Sequence, residues 1–130
     1  VHGSGLDEAA VHGTTELAEL KEDGTIERST LTPADLGAKR LYSIEEIKGG
    51  APADNALITE AILAGKGTEA QQAFVAANLA LLLKIGGLAK SLPEAVELAR
   101  RTMASGKGLE VLNAHRAYAA SHTASSQKAA

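Results

Sequence analysis

Apolar and polar positions change their period near residue 43. Before it the chain reads as extended. Thr15-Glu16-Leu17-Ala18-Glu19-Leu20 alternates loosely, and Ile26 to Leu31 answers it as a second run. Glu22-Asp23-Gly24-Thr25 lies between them. Asp-Gly between two short extended runs is a strong hairpin cue. Thr32-Pro33-Ala34-Asp35-Leu36-Gly37 then reads as a turn, with Pro fixing φ and Gly free to take a left-handed conformation.

Beyond residue 43 the period is helical. Ser43-Ile44-Glu45-Glu46 is a capping box for a short helix that stops at Gly49-Gly50. Asp54 is placed to cap a second helix, whose Leu57, Ile58, Ala61 and Ile62 share one face before Gly65 ends it. Thr68-Glu69-Ala70-Gln71 is another capping box. The helix after it sets Phe74, Ala77, Asn78, Leu81, Leu82 and Ile85 on one stripe and closes at Gly86-Gly87. Ser91-Leu92-Pro93-Glu94 opens a fourth helix, with Pro in the tolerated first turn. Its stripe is Leu92, Ala95, Val96, Ala99 and Met103, and Gly106 stops it. A last helix is predicted over residues 109–118. Residues 121–130 are Ser-, Ala- and Gln-rich with little apolar bulk. They are expected to form a disordered tail behind a folded segment of residues 1–120.

The predicted class is α/β, a β-hairpin followed by four to five helices. Composition supports a packed domain built without rings: 45% of the 130 residues are hydrophobic but 2% are aromatic. The core must come from Leu, Ile, Val and Ala. Zero Cys excludes disulfides and thiolate metal sites. No apolar run approaches the length that spans a bilayer. The net charge of −3 argues against general nucleic-acid binding. Residues 1–60 hold 12 acids and 5 bases, and residues 61–130 hold 4 acids and 8 bases, a split that ordinary solvated faces explain.

The candidate chemistry lies in His2-Gly3-Ser4-Gly5-Leu6-Asp7-Glu8. Glycine permits tight turns and close approach to a ligand. Adjacent carboxylates suit a hard divalent cation such as magnesium, which takes oxygen ligands and is commonly shared with substrate phosphates. A plainer reading of the same residues is a turn leading into a helix with Asp and Glu in its first turn.

Val1-His2-Gly3-Ser4-Gly5-Leu6-Asp7-Glu8 and Thr15-Glu16-Leu17-Ala18-Glu19-Leu20 resemble the C-terminal part of the anthranilate phosphoribosyltransferase family. So do Leu31-Thr32-Pro33-Ala34-Asp35-Leu36-Gly37, Gly49-Gly50 with Asn55-Ala56, Asn78-Leu79-Ala80, and Ala99 through Gly108, in the same order. The likeness covers roughly residues 1–112, and the Gly-Leu-Asp-Glu box is its specific piece. Two positions depart from the family pattern: Ser4 stands where an Asp is common, and Leu36 where a Phe is usual.

The resemblance implies the C-terminal part of a nucleoside phosphorylase/phosphoribosyltransferase-like α/β domain. It implies transfer of the 5-phosphoribosyl group from phosphoribosyl pyrophosphate to anthranilate in tryptophan biosynthesis. Asp7 and Glu8 would hold Mg2+, and no residue of this chain takes a catalytic role. The family's "GTGGD" and "KHGN" segments do not occur here. The chain is therefore expected to work with the remainder of the same enzyme chain and to be inactive by itself. A cytoplasmic homodimer, without nucleic-acid or membrane partners, is the matching expectation. A non-catalytic nucleic-acid-binding relative of the same fold is the alternative.

Other candidates read as structural. His2 is expected to hydrogen-bond at a strand end, and His12 to sit in a turn. Asn78, on an apolar stripe, needs buried partners and is expected to fix helix packing or hold a neighbouring loop. Lys107 between Gly106 and Gly108 reads as a cation at a helix C-terminus rather than a phosphate turn. Arg100 and Arg101 read as solvated or salt-bridged.

Overall fold

A computed structural model describes residues 1–126. Three antiparallel strands come first, β1 (His2–Gly3), β2 (Thr15–Leu20) and β3 (Ile26–Leu31), in the sheet order β1-β2-β3. Five helices come after them: α1 (Ile44–Ile47), α2 (Pro52–Leu63), α3 (Glu69–Ile85), α4 (Leu92–Ala104) and α5 (Lys107–Ser126).

The predicted β2–β3 hairpin forms, with Thr15 opposite Leu31 and Leu20 opposite Ile26. Its loop is not a two-residue turn. Gly24 N–H donates to Lys21 O (3.0 Å), Lys21 N–H donates to Thr25 O (2.9 Å), and Gly24 has φ +83°. That is a type I turn closed by a left-handed glycine, the geometry of a three-residue hairpin loop. Asp23 fixes it by accepting from the Thr25 N–H at 2.9 Å. Lys21 bridges Glu19 and Glu27 across the strands, each at 2.8 Å, and those carboxylates raise its pKa to about 12.

Helix starts follow the capping signals. Glu46 accepts the Ser43 N–H (2.8 Å) and opens α1. Thr68 and Gln71 satisfy each other's backbone N–H groups at 3.0 and 3.2 Å and open α3. The Ser91 hydroxyl accepts the Glu94 N–H at 3.4 Å at the start of α4. Asp54 departs from expectation: Ala51 is the cap of α2, Pro52 takes the first helical position, and Asp54 lies inside the first turn. Proline suits that position because its missing N–H would have no partner there.

The core is made largely of alanine. Ala9, Val11, Leu36, Tyr42, Ala70, Ala77 and Leu81 form one cluster; Ala80, Ala89, Ala95, Val96 and Ala99 form another. Small side chains on α3 and α4 let the two helices approach closely. The α4 stripe of Ala95, Val96 and Ala99 is buried as predicted. The α3 stripe is rotated. Leu82 and Ile85 are exposed, while Ala76 and Ala80 are buried. Periodicity marks an apolar face, but α4 decides which edge of it is covered. The α2 face does not bury either; no residue of α2 is buried and Leu57 is exposed.

α5 is longer than predicted. It begins at Lys107 and continues through Ser126, with Tyr118 and His122 stacked one turn apart at 3.9 Å. Alanine is the strongest helix former, and no Gly or Pro interrupts the run after Gly108. The helix thus includes residues 121–126 of the expected tail, whereas residues 127–130 lie outside the described residues. Among the described residues no helix is long and apolar enough to cross a membrane.

Candidate functional site

The acidic pair sits at the end of a tight turn. Gly3 N–H donates to Leu6 O (2.9 Å) and Leu6 N–H donates back to Gly3 O (3.1 Å). The two central residues both have positive φ, Ser4 at 49° and Gly5 at 96°. This is the pattern of a two-residue type I′ hairpin. Ser4 is held in its uncommon conformation by neighbours. Its hydroxyl donates to Thr14 O (2.9 Å), and its carbonyl lies 3.2 Å from His12 Nε2. Turn and segment are thereby tied together through His12, whose Nδ1 is buried with no partner among the described residues. His2 is exposed on β1.

Asp7 and Glu8 leave this turn as exposed residues, and they do not begin a helix. The plainer reading, acids in a first helical turn, is thus excluded. The chain instead enters a buried irregular segment, Ala9-Ala10-Val11, each at 0% exposure. Buried backbone outside regular structure must find partners, and this one does. Ala9 N–H donates to Asn78 Oδ1 (2.8 Å), and Asn78 Nδ2 donates to Ala9 O (3.1 Å). Ala10 N–H donates to the buried Thr15 hydroxyl (2.9 Å). Val11 O accepts from Tyr42 N–H (3.0 Å). A flexible-looking stretch of sequence is a pinned arm, fixed to β2, α3 and the Tyr42 loop.

Gly3 is part of that fixing. A Cβ there would press on the Glu8 carbonyl and lie 2.5 Å from Ala10 N. The bare face of Gly3 receives the arm's own backbone rather than a ligand. Gly5, by contrast, faces open space.

Glu8 lines a cavity of about 330 Å³ with Leu6, Ile44, Glu45, Ile47, Lys48 and Phe74, and Lys48 pairs there with Glu45 at 3.7 Å. Residues Lys48-Gly49-Gly50 pass beside it. Asn55 holds that loop as Asn78 holds the arm: Gly50 N–H donates to Asn55 Oδ1 (2.7 Å) and Asn55 Nδ2 donates to Gly50 O (3.0 Å). The sequence offered no sign that Lys48 and Glu8 would share a cavity, because the two are far apart along the chain. A second cavity, about 570 Å³ between the Lys39–Tyr42 loop, α3 and α4, contains neither acid.

The remaining candidates take structural places. Asn78 holds a neighbouring segment, as its apolar stripe predicted. Arg100 donates to Gly37 O, and Arg101 pairs with Glu97 at 3.4 Å. Lys107 is displaced from its predicted role: α4 is capped by Ser105, and Lys107 opens α5. Gly106, at φ +74°, makes the corner between the two helices.

The segment that carries this acid pair matches a known family. Residues 1–109 match the model described as "Glycosyl transferase family, a/b domain", and the chain belongs to that family. Its relatives include anthranilate phosphoribosyltransferases. The chain is 55% identical over 109 residues to the one from Tolumonas auensis, covering 84% of this chain and 32% of the relative. It is 54% identical over 113 residues to that of Shewanella putrefaciens, covering 87% of this chain and 32% of the relative. The crystal structure of anthranilate phosphoribosyltransferase from Thermus thermophilus superposes with a TM-score of 0.80 at 31% identity. That match covers 90% of this chain and 34% of the other. The chain thus spans about a third of the length of the curated relatives it matches.

Proposed function

We propose that the complete protein transfers the 5-phosphoribosyl group from phosphoribosyl pyrophosphate to the amine of anthranilate, releasing pyrophosphate. The observation that carries this reading is the exposed Asp7–Glu8 pair on an anchored arm. It lies within residues 1–109, the stretch that matches the family model.

The donor set fits Mg2+. Both side chains present carboxylate oxygens, both are exposed, and the backbone beneath them is fixed. Among the described residues no group of three or more His, Cys, Asp or Glu gathers to hold a metal. Two neighbouring carboxylates leave coordination positions for water and for phosphate oxygens of the donor, the mode usual for this hard cation. When bound, Mg2+ would neutralise charge on the departing pyrophosphate.

The chain's own part is positional. Asp7 and Glu8 supply oxygens at a fixed place. The arm keeps that place constant, so little reorganisation is needed when charge develops. Groups that meet anthranilate and cradle the phosphates belong to the rest of the enzyme chain in this reading, and the segment alone is inactive. By the family resemblance the complete enzyme works as a cytoplasmic homodimer, which light scattering of the purified enzyme would check.

The deciding experiment is magnesium titration of the complete enzyme carrying Asp7→Asn or Glu8→Gln. The expected outcome is a raised Mg2+ requirement and a fall in kcat of ~10²-fold or more, the usual scale for one lost electrostatic group. An unchanged Mg2+ dependence in both variants would remove the assignment.

A further inference from the structure

We propose that Asn78 is a positioning residue for the Asp7–Glu8 pair, acting through the Ala9 peptide. This rests on the reading of that pair as a cation site and adds the element that aims it.

The geometry is specific. Asn78 bonds both the N–H and the C=O of one residue, Ala9, at 2.8 and 3.1 Å. Two paired residues of antiparallel strands exchange the same two bonds. The carboxamide thus stands in for a strand neighbour that this irregular segment lacks. Its second amide hydrogen goes to Phe74 O, 3.0 Å away and one turn earlier on α3. Oδ1 and both Nδ2 hydrogens are therefore committed, and the side chain is locked against its own helix. Only one orientation of the amide puts donors on the two carbonyls and the acceptor on the N–H.

Ala9 is the residue next to Glu8, so a displaced Ala9 peptide displaces Glu8. Gly3 closes the other side, since it packs against the Glu8 carbonyl. Phe74, whose carbonyl takes the third bond, also lines the Glu8 cavity. Helix α3 thereby holds the arm from below and walls the cavity beside it.

Asn78→Asp would keep the acceptor for Ala9 N–H but turn an oxygen toward two carbonyls. Asn78→Ser would shorten the reach and lose the pairing without adding charge. Both are made in the complete protein, with Asn55→Ser as a control that breaks the similar pairing at Gly50. Mn2+ binding is read from the free-ion electron paramagnetic resonance signal, with phosphoribosyl pyrophosphate present. Exchange of the Ala9 amide hydrogen is followed in metal-free protein.

The expected result is faster Ala9 exchange and an Mn2+ dissociation constant raised ~10–100-fold, the range for groups that orient metal ligands. Excess cation restores most of kcat, the KM for anthranilate stays unchanged, and Asn55→Ser leaves Mn2+ binding as it was. Asn78→Ser covers the case in which the aspartate variant does not fold. Faster Ala9 exchange with unchanged Mn2+ affinity would overturn the proposal and leave Asn78 as packing alone. Asp7→Asn and Glu8→Gln, run alongside, separate the two ideas. If they weaken Mn2+ binding while the Asn78 variants do not, only the positioning role falls. If they too leave it unchanged, the cation site itself is wrong.

Discussion

Asn55 and Asn78 each pair with both hydrogen-bonding groups of a single backbone residue, Gly50 and Ala9 respectively. Their surroundings differ. Asn55 reaches a residue five positions away in an exposed loop. Asn78 reaches a residue 69 positions away, whose own exposure is 0%. Water can replace the first pairing. The second is part-buried and its backbone partner fully so, and a broken bond there leaves an N–H and a C=O with less access to water. Similar hydrogen-bond geometry therefore carries different energetic weight, because the weight is set by the alternative partner. The arm bearing Asp7 and Glu8 depends on long-range bonds; the Lys48-Gly49-Gly50 loop is assembled locally.

The sharpest way to test this contrast is at glycine. Gly3→Ala forces a methyl against the Glu8 carbonyl and Ala10 N, so the arm must move. It should lower the stability of the complete protein by about 3 kcal/mol, the upper range for overpacking. Gly5→Ala meets nothing within 4 Å but must hold φ +96°, a strain of about 1–2 kcal/mol. Denaturant midpoints compare the pair, and equal losses would mean that the arm is not packed as described.

Truncating the two asparagines comes next. Asn78→Ala strands two buried groups and should lose about 2–3 kcal/mol, allowing for partial relaxation. Asn55→Ala exposes its partners to water and should lose about 1 kcal/mol or less. Similar losses in the two variants would dissolve the distinction between buried and exposed pairing.

The smallest expected effect concerns α1, which leads into the exposed loop. Arg40 first, then the Ser43 N–H, hold the Glu46 carboxyl at about 2, below its ordinary 4.5. A pKa lower in the folded state stabilises the fold above the unfolded value and loses that contribution as pH falls. The α1 amides should therefore exchange faster as pH drops from about 4.5 toward 2, after correction for intrinsic rates. Glu46→Gln should flatten that dependence. The Ala9 amide, held by uncharged partners, should show little of it, and a parallel response at both sites would join the two regions. The Glu46 side chain is substantially exposed, so the effect is a small one.

Much of the scaffold was legible in the chain itself. The β2–β3 hairpin came from two short runs around Asp23-Gly24, because turn chemistry is local. The capping boxes at Ser43 and Thr68 marked helix starts because each is closed within four residues. Asp54 misled for a similar reason: a capping residue type near a helix start was outweighed by Pro52, whose fixed φ suits the first position. Asn78 stood out as a polar residue on an apolar stripe, which named the need for partners but not the partners.

Local order is thus readable from residue types alone: hairpin, caps, helix corners at glycine, and the adjacency of Asp7 and Glu8. Long-range packing set the rest. It turned α3 so that Ala76 and Ala80 face inward while Leu82 and Ile85 face out, and it brought Asn78 to the backbone behind the acids. Propensity and capping act over one or two turns of chain. Which distant group satisfies a buried peptide depends on how helices and strands pack, and that is a property of the whole fold.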